Sequence, residues 1–433
     1  MTTAIVAFAV LVIAMLIGVP IPFAFFASAL TVVYLGGYDY AFLLPYGYSQ
    51  TGAIVLVAIP LFILAGKLME KSGIGETLVN LVSLFVGRFK SGLGTVMVLS
   101  CLAFASVSGS GFATLSCIGS IMLPRMYQAG YPKGISSALI SSAALLGLLT
   151  PPSVTLILFA FVGGQSVLAS FLAPVIPAGI LVILLIATNA WLLRKDPNIK
   201  VVEKMPPRVY RLELGKRSAN AIPAMIAPII ILGGIYGGFL TPTEAAAVAV
   251  VYSIPVGWFF YKGLNGRAFK ESLIAAGSTA GVVMIMLFTV SILSRLYVME
   301  DVPRMLLNAM TSVTDNRILL IMMINLFLVA VASVMDDISA ILLTTPIILP
   351  VAIELGIHPI HYAAIMGVNL GMGCVLPPCA PFLYLGSRVG GASVNEMLKP
   401  TGWFILLAWV PTLIITTYIP EIALFLPRLA GLI

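Results

Sequence analysis

Apolar runs separated by short polar breaks extend from residue 4 to residue 425. A membrane-crossing helix needs about 20 apolar residues. In the second half, 221–240, 243–261, 272–294, 361–387 and 402–425 predict five spans. Residues 317–353 are apolar on both sides of Met335-Asp336-Asp337 and predict a hairpin that enters and leaves by one face. In the first half, 4–36 is interrupted at Gly18-Val19-Pro20-Ile21-Pro22 and predicts two spans. A third span, 52–66, is expected to end at Lys67, and 92–125 predicts another hairpin with Ser106-Val107-Ser108-Gly109-Ser110-Gly111 at its middle. Ahead of the hairpins, 74–90 carries Ile74, Leu78, Leu81 and Phe85, and 302–317 carries Val302, Leu306, Met310 and Val313. That spacing predicts two amphipathic helices at the membrane surface.

Composition agrees with this pattern. The 433 residues are 60% hydrophobic and 9% charged, with a mean hydropathy of +1.11. Soluble chains run nearer 45–50% apolar and about 25% charged. A disordered chain, a nucleic-acid binder and a cytosolic enzyme are excluded, which leaves an all-α polytopic membrane protein. Cys101, Cys117, Cys374 and Cys379 form no CxxC and read as small buried hydrophobes. His358 and His361 flank Pro359 with no third ligand nearby. The sequence holds no GxxxxGK[ST], HExxH or GxSxG.

The basic residues orient the chain. Lys67/Lys71, Arg88/Lys90, Arg125/Lys133, 194–217, Lys262/Arg267/Lys270 and Arg388/Lys399 form clusters. Only Arg295, Arg304, Arg317 and Arg428 fall outside them, leaving 19 of 23 cations for the cytoplasmic face. On this reading residues 194–217 are a cytoplasmic linker, and both termini lie on the opposite side. No Lys or Arg is expected at mid-membrane.

Over their middle region the two halves align without gaps at an offset of 226 residues. Pro124 pairs with Pro350, Gly130 with Gly356, Gly147 with Gly373, and Pro151-Pro152 with Pro377-Pro378. Each half holds an odd number of spans, so the second is inverted. The expected architecture is an inverted repeat, 1–193 and 218–433, with two re-entrant helical hairpins and two interrupted helices. This is the pattern of a secondary transporter.

The candidate chemistry lies at the hairpin tips and the proline pairs. A Gly/Ser tip at membrane depth must be buried in protein or line a cavity. Adjacent carboxylates at that depth read as a cation or substrate site. The alternative is that Asp337 only caps the returning helix. Proline has no N–H, so Pro151 and Pro152 free the carbonyls of Gly147 and Leu148, and Pro377 and Pro378 free those of Gly373 and Cys374. Free carbonyls beside hydroxyls suit Na⁺, and helix N-termini suit an anion. Thr241-Pro242-Thr243-Glu244 reads as a capping box, which removes Glu244 from the candidates.

The Ser-Gly-Ser-Gly-x-Ala tip, the following Pro-x-Met and Gly-Tyr, the Pro-Pro-Ser break, Thr-Pro-Thr-Glu and the Asp-Asp hairpin together resemble the large membrane subunit (DctM type) of tripartite ATP-independent periplasmic transporters. The resemblance covers essentially the whole chain. It implies a non-enzymatic, elevator-type symporter in the bacterial inner membrane, taking up an organic anion with two or more Na⁺. C4-dicarboxylates, sialic acids and other carboxylates are the substrate classes it implies. It also implies two protein partners, a small four-helix membrane subunit (Q type) and a soluble periplasmic substrate-binding protein (P type). One Na⁺ site would involve Ser106 or Ser108 with Gly147, Thr150 and Pro152. The other would involve Ser333 to Asp337 with Gly373, Leu376 and Pro378, although the second break, Leu-Pro-Pro-Cys, lacks the hydroxyls of Thr-Pro-Pro-Ser. The substrate would sit between the tips, against Ser108, Gly109, Ser110, Ser153, Asp336 and Asp337. A binding-protein-independent Na⁺/anion symporter of the same superfamily is the nearest rival, and a channel a more distant one.

Overall fold

The computed structural model describes residues 2–86, 91–194, 196–199 and 206–433. Every regular element among the described residues is a helix. Among the described residues, seven helices are long and apolar enough to cross a membrane, or up to nine if each of two bent pairs is one span. The chain is thus a multi-pass membrane protein. Arg88, Lys90, Lys195, Lys200 and Lys204 of the basic clusters lie outside the described residues.

The N-terminal run forms two short helices, Thr2–Leu16 and Ile21–Gly36, broken where glycine and proline predict. The third span differs from expectation. The helix Ala58–Ser72 carries Lys67 in its interior and meets Tyr40–Thr51 at a bend of 61°. Gly52 and Ala53, the latter extended, interrupt the backbone there. The expected linker is also partly helical, because Pro207–Tyr236 is one continuous helix.

The first hairpin comprises Gly92–Ser108 and Gly111–Gln128, and the second Arg317–Val334 and Asp337–Glu354. Interrupted helices follow each. The first is Lys133–Ala143 and Leu146–Leu149, then Val154–Val162 after the break; the second is Pro359–Gly373, then Pro381–Gly390. Residues paired at the 226-residue offset share backbone geometry. Gly130 and Gly356 both have positive φ (85° and 77°), and Pro151-Pro152 and Pro377-Pro378 are both cis.

The two halves interlock. One core joins Val154, Leu156 and Phe159 to the second hairpin's Ala340–Ala352 stretch. The other joins the first hairpin to the flanks of the second break, with Phe112 stacked on Phe382 at 4.3 Å. Such a pair adds about 1 kcal/mol beyond area burial.

The helices ahead of the hairpins bury only part of their apolar patterns. The first is Ile74–Val86; its Ile74, Leu78 and Val79 are buried, whereas Phe85 is exposed. Residues 87–90 lie outside the described residues. The second is Val302–Thr311, so Val313 falls beyond it and is exposed. Burial is set by the hairpin each helix packs against, a tertiary constraint that spacing alone does not carry. Three cysteines are buried as expected, but Cys379 is exposed in the second break. The Thr241–Glu244 capping box is present in both directions.

Candidate functional site

The first tip is two residues long. Gly109 ends the entering helix with φ +61°, and Ser110 caps the returning one by accepting from the Ala113 N–H at 3.4 Å. Glycine is required at 109 twice over. Its φ is left-handed, and a Cβ there would collide with the Pro152 carbonyl. Gly147 is as tightly placed: a Cβ would lie 2.7 Å from the Gly111 nitrogen. Tip and break therefore touch backbone to backbone. Ser108 is buried and shares its hydroxyl with Thr114 at 3.3 Å. Ser106 does not turn inward to join this group; its hydroxyl donates to the Ala103 carbonyl of its own helix at 2.8 Å.

The first break is fully buried from Thr150 to Ser153. The Thr150 N–H and hydroxyl both go to the Leu146 carbonyl. Pro151 and Pro152 offer the Gly147 and Leu148 carbonyls no N–H. The Ser153 hydroxyl is buried with no hydrogen-bond partner among the described residues.

The second break is built differently, which corrects the expectation of free carbonyls there. The Leu376 N–H donates to the Gly373 carbonyl at 2.9 Å, and the Phe382 N–H to that of Cys374 at 3.3 Å. Pro377, Pro378 and Cys379 are exposed. The loop still docks on its tip. The Cys379 N–H donates to the Ser333 carbonyl at 2.9 Å, while the Ser333 hydroxyl donates to Ala330 at 2.8 Å. Gly373 packs against Ala332 and the Val329 carbonyl.

The two aspartates take different roles. Asp336, not Asp337, is the N-cap; it accepts from the Ser339 N–H at 3.4 Å and from the Ser339 hydroxyl. Asp337, in the first turn, is 7% exposed and accepts from the Thr155 hydroxyl at 3.2 Å. Its Oδ1 has no partner among the described residues. A buried carboxylate oxygen without a donor is costly, and a carboxylate oxygen is a ligand suited to a hard cation.

Asp337, Thr155, Val154, Gly109 and Ser110 line one cavity of about 200 Å³. Its opposite wall comes from outside the hairpins: Gly66 and Lys67 of Ala58–Ser72, and Thr279 of Gly266–Met299. Lys67 holds Glu70 at 3.0 Å and is about one-third exposed (33%). Lys67 thus brings a cation to the cavity wall. In sequence Lys67 reads as the end of a span; in the structure the helix runs on past it to Ser72. Thr279 was missed too; its signal is the small-residue run Gly277-Ser278-Thr279-Ala280-Gly281 within a long apolar helix. Among the described residues, no group of three or more His, Cys, Asp or Glu could hold a metal ion.

Residues 8–422 match the family described as the tripartite ATP-independent periplasmic transporter, DctM component. The chain belongs to this DctM family. It is 33% identical over 380 residues to a C4-dicarboxylate TRAP transporter large permease protein DctM of Pseudomonas aeruginosa, covering 87% of each chain. It is 32% identical over 377 residues to a sialic acid TRAP transporter large permease protein SiaM of Vibrio cholerae, covering 86% of each. An isethionate TRAP transporter permease protein DctMQ of Oleidesulfovibrio alaskensis is 31% identical over 420 residues; the match covers 95% of this chain but 64% of that protein. In fold, the chain resembles the crystal structure of the Alcanivorax borkumensis YdaH transporter, with a TM-score of 0.54, 15% identity and coverage of 88% and 89%. As a DctM-family member the chain is a transport subunit of a TRAP system, not an enzyme.

Proposed function

We propose that this DctM-family subunit takes up an organic anion coupled to two or more Na⁺ ions by an elevator movement. The observation that carries the reading is the cavity in which the first tip, Thr155 and Asp337 face Lys67. An acid group of the substrate is held by the Lys67 ammonium and by N–H groups at the helix starts after Ser110 and Ser153, where the helix dipole favours negative charge. Na⁺ is cargo in this scheme. It is taken by the Asp337 carboxylate with the Ser153 hydroxyl and the carbonyls beside Pro151-Pro152, and it offsets the charge of Asp337 next to an anion.

The hairpins and broken helices form the moving body, and Ala58–Ser72 and Gly266–Met299 the static wall. The glycine at 66 supports this division: it lets the static helix approach the Ser108 carbonyl with no side chain locking the two together. The protein works in the bacterial inner membrane with a small membrane subunit and a soluble periplasmic binding protein, as the family and the DctMQ name of one relative suggest. Substrates named for the relatives, C4-dicarboxylates, sialic acid and isethionate, define the panel to test. Reconstitution with both partners in proteoliposomes, under an imposed Na⁺ gradient, should give concentrative uptake of one panel member. Uptake indifferent to the gradient would remove the coupling proposal.

A further inference from the structure

A cavity of about 710 Å³ lies apart from the transport site, where two membrane-length helices end. Arg317–Val334 begins there and Val394–Tyr418 finishes there, and the Tyr418 hydroxyl ties the ends together by donating to the Ile318 carbonyl at 3.0 Å. The start of one span and the end of another mark the boundary between bilayer core and water, where tyrosine is favoured. The cavity wall is apolar, formed by Ile321, Ile357 and Leu424, while Arg317, His358 and Arg428 supply its polar edge.

The edge groups are only partly committed. Arg317 donates through Nε to the Leu355 carbonyl at 2.9 Å and through Nη2 to the Gly356 carbonyl at 3.2 Å. Among the described residues it has no carboxylate partner. Arg428 engages Glu421 through Nη1 alone, at 2.6 and 2.8 Å. His358 accepts the Ile360 N–H on Nδ1 at 3.2 Å, so the neutral ring carries its proton on Nε2 as a further donor. Burial and the charge of Arg428 hold His358 below the usual histidine range, keeping that neutral form at pH 7. Three donors with net positive charge sit beside an apolar wall at a bilayer boundary.

We propose that this cavity is a binding site for the phosphodiester headgroup of an acidic phospholipid, with an acyl chain along Ile321 and Leu424. Free phosphate would satisfy the donors but not the apolar wall. A zwitterionic lipid would fill the wall but bring its own cation to the arginines. The site needs only that the chain spans a membrane, so it stands whether or not the transport scheme above holds.

The test uses the full chain in phosphatidylcholine nanodiscs carrying a minor fraction of phosphatidylglycerol, with lipid retention read by native mass spectrometry after detergent transfer. Phosphatidylglycerol should be retained over phosphatidylcholine. Arg428→Gln should weaken retention roughly tenfold, the scale of a lost charge-assisted hydrogen bond. Glu421→Gln should strengthen it by releasing Arg428. Both variants break the same ion pair, so a general loss of structure would move them in the same direction. His358→Gln, which alters no ion pair, should also weaken retention. Equal retention of the two lipids, equal retention by Arg428→Gln and the parent, or displacement of phosphatidylglycerol by millimolar inorganic phosphate would each overturn the lipid assignment.

Discussion

Thr155 donates its hydroxyl to the Asp337 carboxylate across 3.2 Å, joining the helix after the first proline pair to the second hairpin's returning helix. The bond links positions 182 residues apart and divides the labour between the two aspartates. Asp336 closes its own helix, and Asp337 faces the other half of the chain. Asp337→Asn should therefore reduce Na⁺-driven uptake and raise the Na⁺ concentration for half-maximal rate, with the protein still in the membrane. Asp336→Ala should cost about 1 kcal/mol of stability, as loss of a cap does, and leave the Na⁺ dependence unchanged. The reverse pattern in a Na⁺ titration of uptake would mean that the roles are exchanged.

Lys67 supplies the positive charge on the wall opposite the tips. Lys67→Met should raise the substrate KM roughly tenfold, the weight of one hydrogen bond to a charged group. The Na⁺ dependence should stay where it was, because Lys67 faces the anion and not the cation. An unchanged KM would place anion binding on the helix N-termini alone.

Proline substitution should act unequally in the two halves. Pro151→Ala returns an N–H to the Gly147 carbonyl and should weaken Na⁺ affinity. Pro377→Ala faces a Gly373 carbonyl already taken by the Leu376 N–H, so its effect on Na⁺ should be smaller. Equal shifts in the Na⁺ titration would show that the proline positions, rather than the carbonyls, matter.

Gly147→Ala should separate the first tip from the first break, because the new Cβ meets the backbone of Ser110 and Gly111 at 2.7 Å. Overpacking of this kind costs about 1–3 kcal/mol. Thermal unfolding should register that cost, and uptake should fall. A variant with wild-type transport would mean that the tip can withdraw without loss of function.

Much of the fold is legible in the sequence because lipid leaves a chain few choices. Backbone groups in a bilayer must be satisfied within helices, so long apolar runs are helices, and Gly and Pro set where they stop. That logic locates the breaks after Leu16, Leu149 and Gly373, the tip at Gly109 and the cap at Thr241. It says less about the helix Ala58–Ser72, which runs past Lys67 to Ser72. A 61° bend changes which residues share a level, and a bend is not written in hydropathy.

The sequence by itself determined the helices, the two hairpins and the two proline breaks, since each follows from local backbone chemistry. Tertiary structure decided which atoms of those elements remain available. It buried the first break and exposed the second, gave the freed carbonyls of Gly373 and Cys374 new donors, and made Asp336 the cap so that Asp337 could face Thr155. It also brought Lys67 and Thr279 to the cavity from helices whose patterns name no site. The physical reason is that hydrogen-bond satisfaction and proximity across the chain depend on how packed bodies meet, and no local pattern carries that information.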